Sequence, residues 1–209
     1  MLFQEKICSD NVRIAVWKTT ESLSELWEML RNKAFYLADF QKLKQEKRQK
    51  EWLAARILAE RLCGSDKTIA YGENGKPFLT DNSFKISISH TANYVALIAH
   101  PAQEVGIDIE QFGNKICRLK ERFLNAEELQ HIDSENETAH LLVHWCAKET
   151  IYKMQNRHVD FRRHIHILPF TPQQSGEMTC RCGLDPQSPD THTLHYLIAE
   201  DFTMAWSVK

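Results

Sequence analysis

An α+β chain made of two similar halves is the fold that three features of the sequence predict. Strand-like runs come in consecutive pairs, and helical runs are grouped between them. A tryptophan-bearing helix stands once in each half, as Trp52-x-Ala54 and as Trp145-x-Ala147. Each of these helices leads toward a terminal strand–turn–strand. The pattern reads as an internal duplication, dividing the chain into residues 1–102 and 103–209.

In the first half, residues 12–17 alternate and branch as a strand does. Ser22 and Glu25 have capping-box spacing and open an amphipathic helix through Leu23, Leu26, Trp27 and Leu30. The charged stretch 41–50 holds Lys42, Lys44, Lys47, Arg48 and Lys50 and reads mostly as a solvated face. It leads into a helical run at 51–62, stopped by Gly64. Asn74-Gly75 has the form of a hairpin turn, with Lys76-Pro77 directly after it. Two β-rich runs follow at 85–90 and 94–99.

The second half begins with a strand at 105–110 and continues with a helix-rich stretch at 119–154. Weaker strand candidates end in a pair at 194–199 and 204–208. Residues 169–189, rich in Pro, Gln, Ser and Thr, read as a variable excursion outside any site.

Composition bounds the function. Of 209 residues, 43% are hydrophobic and 10% aromatic, enough for a sizeable core. A net charge of -2 argues against a uniformly basic nucleic-acid binder. The first residues, Met1-Leu2-Phe3-Gln4-Glu5-Lys6, lack the features of a signal peptide. No apolar run approaches the ~20 residues of a membrane span. A cytoplasmic location, away from membranes, is the expectation. The six cysteines, Cys8, Cys63, Cys117, Cys146, Cys180 and Cys182, then read as reduced thiols. Cys180-x-Cys182 reads as part of a strand; it lacks the further well-spaced ligands of a zinc site, and His192 and His195 are a loose match.

The most informative segment is Val105-Gly106-Ile107-Asp108-Ile109-Glu110. On a strand, Val105, Ile107 and Ile109 line one face, and Gly106, Asp108 and Glu110 the other. Two carboxylates on one face repel unless solvent or a cation intervenes. An ordinary exposed strand face is the bland alternative. A second segment removes any preference for that alternative. On a helix running from Leu141 to Met154, the spacing of Leu142, Trp145, Glu149 and Lys153 sets all four along one stripe. Lys148 points elsewhere. Three carboxylates from a strand and a helix, with a lysine one turn away, suit Mg²⁺ and a phosphate. Ser87, Ser89 and His90 at a strand end could hold a phosphate, or His90 could simply cap the turn. Lys76, Arg48 and Arg56 carry no claim alone.

Together these segments resemble the 4′-phosphopantetheinyl transferase superfamily, in its longer, surfactin-synthetase-activating type. The matching residues are Gly75-Lys76-Pro77, Ile88-Ser89-His90, Gly106-Ile107-Asp108-Ile109-Glu110, Phe123-x-x-x-Glu127 and Trp145-x-x-Lys148-Glu149-x-x-x-Lys153. The resemblance implies a pseudo-dimer of two α+β halves, each an antiparallel sheet packed on a long helix, meeting across the active site. It implies Mg²⁺-dependent transfer of phosphopantetheine from coenzyme A to a serine of an apo acyl or peptidyl carrier protein, releasing 3′,5′-ADP. By position, Asp108, Glu110 and Glu149 would hold the Mg²⁺. Lys153 would lie against the pyrophosphate, with Lys148 nearby. Lys76, Ser89 and His90 would bind the phosphoadenosine end. Glu127 or Glu149 would accept the seryl proton. Where many relatives carry an arginine, this chain has Glu51, so Arg48 and Arg56 are the candidates for the 3′-phosphate. One chain carrying both halves is expected to act as a monomer. The alternatives are a metal-dependent nuclease and an inactive coenzyme A or carrier-protein binding module.

Overall fold

Apolar and β-branched residues at a two-residue period build the two larger sheets, and one 18-residue helix packs on each. The computed structural model describes residues 2–7 (backbone only), 11–155, 158–185 and 187–209. Cys8 lies outside the described residues. The chain divides into two compact units, Met1–Val105 and Gly106–Lys209.

The first unit runs β1 (Leu2–Ile7), β2 (Arg13–Lys18), α1 (Leu23–Met29), α2 (Lys33–Phe40), α3 (Glu46–Cys63), β3 (Ile69–Tyr71), β4 (Pro77–Leu79), β5 (Lys85–Thr91) and β6 (Tyr94–His100). Its main sheet has the order β1-β2-β6-β5, with every pairing antiparallel. The capping box at α1 forms as its spacing predicts: Ser22 accepts from the Glu25 amide, and Glu25 accepts from the Ser22 amide at 2.8 Å. Gly75 takes φ +77° in the turn between β3 and β4, a conformation open to glycine without strain. Helix α3 starts inside the charged run, where Glu46 and Lys50 pair at i, i+4. Its other side buries Leu53, Ala54, Leu58 and Ala59 against the sheet.

The second unit runs β7 (Val105–Gln111), a 3-10 turn (Ile116–Arg118), α4 (Lys120–Phe123), α5 (Ala126–Gln130), α6 (Glu137–Met154), α7 (Phe161–His164), β8 (Ile165–Ile167), β9 (Ser175–Cys182), β10 (Asp190–Ile198) and β11 (Phe202–Val208). The sheet order is β7-β11-β10-β9-β8. Helix α6 buries Val143, Cys146, Ala147 and Ile151 against it. Both units are thus mixed helix and antiparallel sheet, as expected of an α+β chain.

One expectation is corrected here. Residues 169–189 are no mere excursion, because β9 lies among them and pairs with both β8 and β10. Met178, Cys180 and Cys182 point into the core, while Glu177 and Arg181 stay exposed. The Cys180-x-Cys182 pair therefore serves packing, and Cys63, Cys117, Cys146, Cys180 and Cys182 are all free thiols. Among the described residues, no helix is long and apolar enough to cross a membrane.

A buried histidine pair on α6 carries a pH prediction. His140 and His144 are 1% and 2% exposed and both pack on Phe170. His140 Nδ1 accepts from the Asp133 amide, but His140 Nε2 and His144 Nδ1 have no hydrogen-bond partner among the described residues. Burial holds both imidazoles below their ordinary range, His144 well below it. The unfolded chain therefore takes up protons near pH 6.5 while the folded chain refuses them. The contribution of these two histidines to stability should be full above about pH 6.5 and fall on acidification, by up to about 1.4 kcal/mol per pH unit for each histidine. Urea midpoints between pH 8 and 5.5 measure this slope, and His144→Phe should flatten it. An unchanged slope in that variant would contradict the assignment.

Candidate functional site

Strand β7 presents its two faces to different neighbours, and both are covered from Val105 to Ile109. The exposed-face alternative is thereby excluded. A Cβ on Gly106 would meet the Thr150 carbonyl oxygen at 2.5 Å and Met154 Cγ at 2.7 Å, so only glycine lets β7 lie this close to α6. That close approach carries Asp108, two residues on, toward the last turns of the helix. Asp108 is 4% exposed, and Glu110 is half-buried at the strand end.

Helix α6 supplies the facing groups. Lys153 Nζ donates to Asp108 Oδ1 at 2.7 Å and to the Ile107 carbonyl at 3.0 Å. Glu149, one turn earlier, has its carboxyl pushed up to about 7. Burial is the main cause, followed by the negative charge of Asp108; Lys153 opposes the shift and Glu110 adds to it. The Cys146 thiol lies on the same side and is raised well above its usual range by burial and by Asp108 and Glu110. It stays protonated and is no anionic ligand. The donor set is therefore carboxylate oxygen, the chemistry a small hard cation such as Mg²⁺ takes, and its mutual repulsion is what such a cation relieves. As the side chains stand, no three His, Cys, Asp or Glu residues among those described form a metal-holding group. Lys153 is ion-paired with Asp108.

Two openings flank these carboxylates. A cavity of about 550 Å³ reaches Glu149 and is walled by Phe123, Trp145, Tyr152 and Phe161. A second, of about 270 Å³, reaches Glu110, and Leu119 and Trp145 belong to both walls. The aromatic walls follow from the stripe logic of α6, since Trp145 and Tyr152 sit either side of Glu149.

Two expectations for this region are corrected. Lys148 does not face a ligand. It is 0% exposed, and its ammonium donates to Glu128 Oε2 at 2.7 Å and to the Phe161 and Ile165 carbonyls at 2.9 and 2.6 Å. One residue along a helix is about 100° of rotation, so Lys148 and Glu149 point to different surroundings. Glu127 does not join the carboxylates either: it is exposed on α5, whereas its neighbour Glu128 is buried. Glu128 closes a capping box with Asn125 and also accepts from the Ile167 amide. The signal for Glu128 was present in the spacing Asn125-x-x-Glu128.

In the first unit, the structure brings together Arg48 and His90. Arg48 Nη1 lies 2.7 Å from His90 Nε2, and Glu51 stands 3.4 Å from each. Glu51, the residue at the departure from the family pattern, thus sits between two cationic candidates. Ser89 and Ser87 are buried on β5 beside them in sequence. Lys76 lies apart, ion-paired to Glu104 at 2.8 Å on the wall of a cavity of about 240 Å³. Arg56 is corrected: it is 3% exposed, with its guanidinium 3.3 Å from the Trp52 ring centroid and Nη1 donating to the Trp52 carbonyl. The i, i+4 spacing from Trp52 draws it into the core, where a cation stacks on the ring.

Residues 104–209 match the 4′-phosphopantetheinyl transferase superfamily. The chain is 30% identical over 118 residues to the 4′-phosphopantetheinyl transferase AcpT of Salmonella typhi, covering 52% of this chain and 59% of that protein. It is 38% identical over 64 residues to AcpT of Escherichia coli O157:H7, covering 30% and 33%. It is 32% identical over 92 residues to the 4′-phosphopantetheinyl transferase psf-1 of Bacillus pumilus, covering 42% and 39%. The chain thus spans less than two thirds of the length of these relatives.

Proposed function

This chain belongs to the 4′-phosphopantetheinyl transferase superfamily, and from that premise we propose that it moves phosphopantetheine from coenzyme A to a serine of an apo carrier protein. The observation that carries the reading is the meeting of Asp108 and Glu110 on β7 with Glu149 and Lys153 on α6. Mg²⁺, held by the carboxylates of Asp108, Glu110 and Glu149, would supply neutralising charge to the coenzyme A pyrophosphate.

The chain's own groups do the rest. Lys153, on a flexible stem one turn from Glu149, offers its ammonium to a pyrophosphate oxygen and steadies charge building on the leaving group. Glu149 stays with the carboxylates and Glu127 does not, so Glu149 is the acceptor assigned to the seryl proton. The seryl oxygen forms its bond to the β-phosphorus as the bond to 3′,5′-ADP breaks. Arg48 and His90 are the pair assigned to the phosphoadenosine end, with Ser89 beside them and Lys76 as a further cation. The aromatic cavity beside Glu149 has the size and lining to shelter the apolar part of the transferred arm. The two units, each an antiparallel sheet with an 18-residue helix, are read as the halves of one pseudo-dimeric chain. It would work as a cytoplasmic monomer.

The direct test incubates the protein with coenzyme A, Mg²⁺ and a panel of apo carrier proteins. The expected result is a carrier that gains the mass of one phosphopantetheine, with chelator abolishing the gain. No gain on any carrier would overturn the proposal.

A further inference from the structure

We propose that Lys153 occupies the cation position of Asp108 in the metal-free chain, and that its release couples divalent-ion binding to binding of the coenzyme A pyrophosphate. The inference rests on the reading of Asp108, Glu110 and Glu149 as metal ligands and deepens it.

The contact has the geometry of a neutralising pair. The ammonium sits 2.7 Å from Asp108 Oδ1 and is steadied by the Ile107 carbonyl at 3.0 Å. Asp108 is almost wholly buried, so its charge needs a counter-ion close by. Lys153 is the cation that β7 and α6 bring to it. A divalent ion on Asp108 would compete for that same oxygen and would repel the ammonium. Two cations held on one oxygen at this distance repel each other strongly.

Lys153 has somewhere to go. Its side chain keeps about a quarter of its exposure and belongs to the last turn of α6, while the Ile107 carbonyl is fixed in the strand. A pyrophosphate beside the carboxylates offers it a more strongly charged partner than Asp108 does. Coenzyme A thus draws Lys153 off the oxygen the ion needs, and the ion pushes Lys153 toward the pyrophosphate. Each ligand should therefore tighten the other by the same factor, as linkage requires. With neither ligand present, Lys153 keeps the buried Asp108 and the half-buried Glu149, which repel one another, from standing uncompensated.

The experiment titrates Mn²⁺ at pH 7.5 and follows free Mn²⁺ by electron paramagnetic resonance. It compares wild type, Lys153→Met, Lys153→Gln and Lys153→Arg, each with and without coenzyme A and checked for folding by circular dichroism. Without coenzyme A, the neutral variants should bind Mn²⁺ about tenfold tighter than wild type, within the usual range of coupling. Lys153→Arg should bind it no tighter than wild type. Coenzyme A should tighten Mn²⁺ binding to wild type and lose most of that effect in the neutral variants. Equal or weaker Mn²⁺ binding by folded Lys153→Met and Lys153→Gln would overturn the inference while leaving the metal site intact. Failure of every protein to bind Mn²⁺, even with coenzyme A, would overturn the three-carboxylate reading itself and the inference with it.

Discussion

Lys148→Ala should lose about 3–5 kcal/mol of stability, the cost of breaking a fully buried ion pair by removing one partner. Against a total of ~5–15 kcal/mol for a chain of this kind, that is a change on the scale of unfolding. The size follows from what is left behind. Glu128 would lose its cation at a site where neither side chain reaches solvent. The carbonyls of Phe161 and Ile165 would each lose a charged donor. Lys148 pins α7 and the start of β8, while Glu128 pins the Asn125 and Ile167 amides, so the two residues tie three segments to α6. Burial already holds the Lys148 ammonium below its ordinary range, with Glu128 restoring part of the shift. Replacing both residues with Lys148→Met and Glu128→Gln should cost less than the two single losses summed, because no uncompensated charge remains. Equilibrium urea unfolding at neutral pH measures all three. A loss under about 1 kcal/mol for Lys148→Ala would mean that water reaches this pair.

The same residue shows where the sequence is legible and where it is not. Helical spacing alone sets Glu149 and Lys153 on the Trp145 stripe and turns Lys148 away from it. Spacing cannot say what Lys148 meets on its own side, because Phe161 and Ile165 arrive by tertiary folding. Strand alternation likewise puts Asp108 and Glu110 on one face, and Gly106 marks that face for close approach. That the face is roofed by Thr150 and Met154 is a packing fact with no local signature. Glu128 is a different case: its capping-box spacing was readable, but the adjacent Glu127 satisfied a looser motif equally well. Arg56 was hidden among the charges of α3, although a tryptophan four residues earlier is the signal for a stacked cation. Strand β9 is legible only at its end, as the strand expected to carry Cys180-x-Cys182, because polar, proline-bearing flanks dilute the alternation of Met178, Cys180 and Cys182. Helix α2 has a weak apolar stripe and no side-chain cap, so its hold comes from Tyr36, whose hydroxyl accepts from the Ile69 amide.

Glu149→Gln should lower phosphopantetheine transfer by on the order of 10²–10³-fold, the usual loss when one charge-stabilising group leaves a preorganised site. The substitution keeps the volume of the side chain and removes only its charge, so the aromatic walls of the neighbouring cavity have no reason to move. Its effect on stability should run the other way. In the folded chain the Glu149 carboxyl is raised to about 7 by burial and by Asp108, against an ordinary value of 4.5. The folded state therefore holds a proton that the unfolded state releases, and the contribution of this carboxyl to the stability of the metal-free wild type falls as pH rises from about 4.5 through 7. Glutamine cannot ionise, so the variant should match wild type near pH 5 and exceed it at pH 8, with metal removed by chelator. Urea unfolding at the two pH values reads this crossing, and the transfer assay reads the loss of activity on the same preparation. A variant that merely misfolded would lose both stability and activity. One that kept near-wild-type transfer would remove Glu149 from the chemistry. A gain in alkaline stability joined to a loss of transfer would identify a carboxylate held against its own electrostatic preference, which is what a ligand-ready site requires.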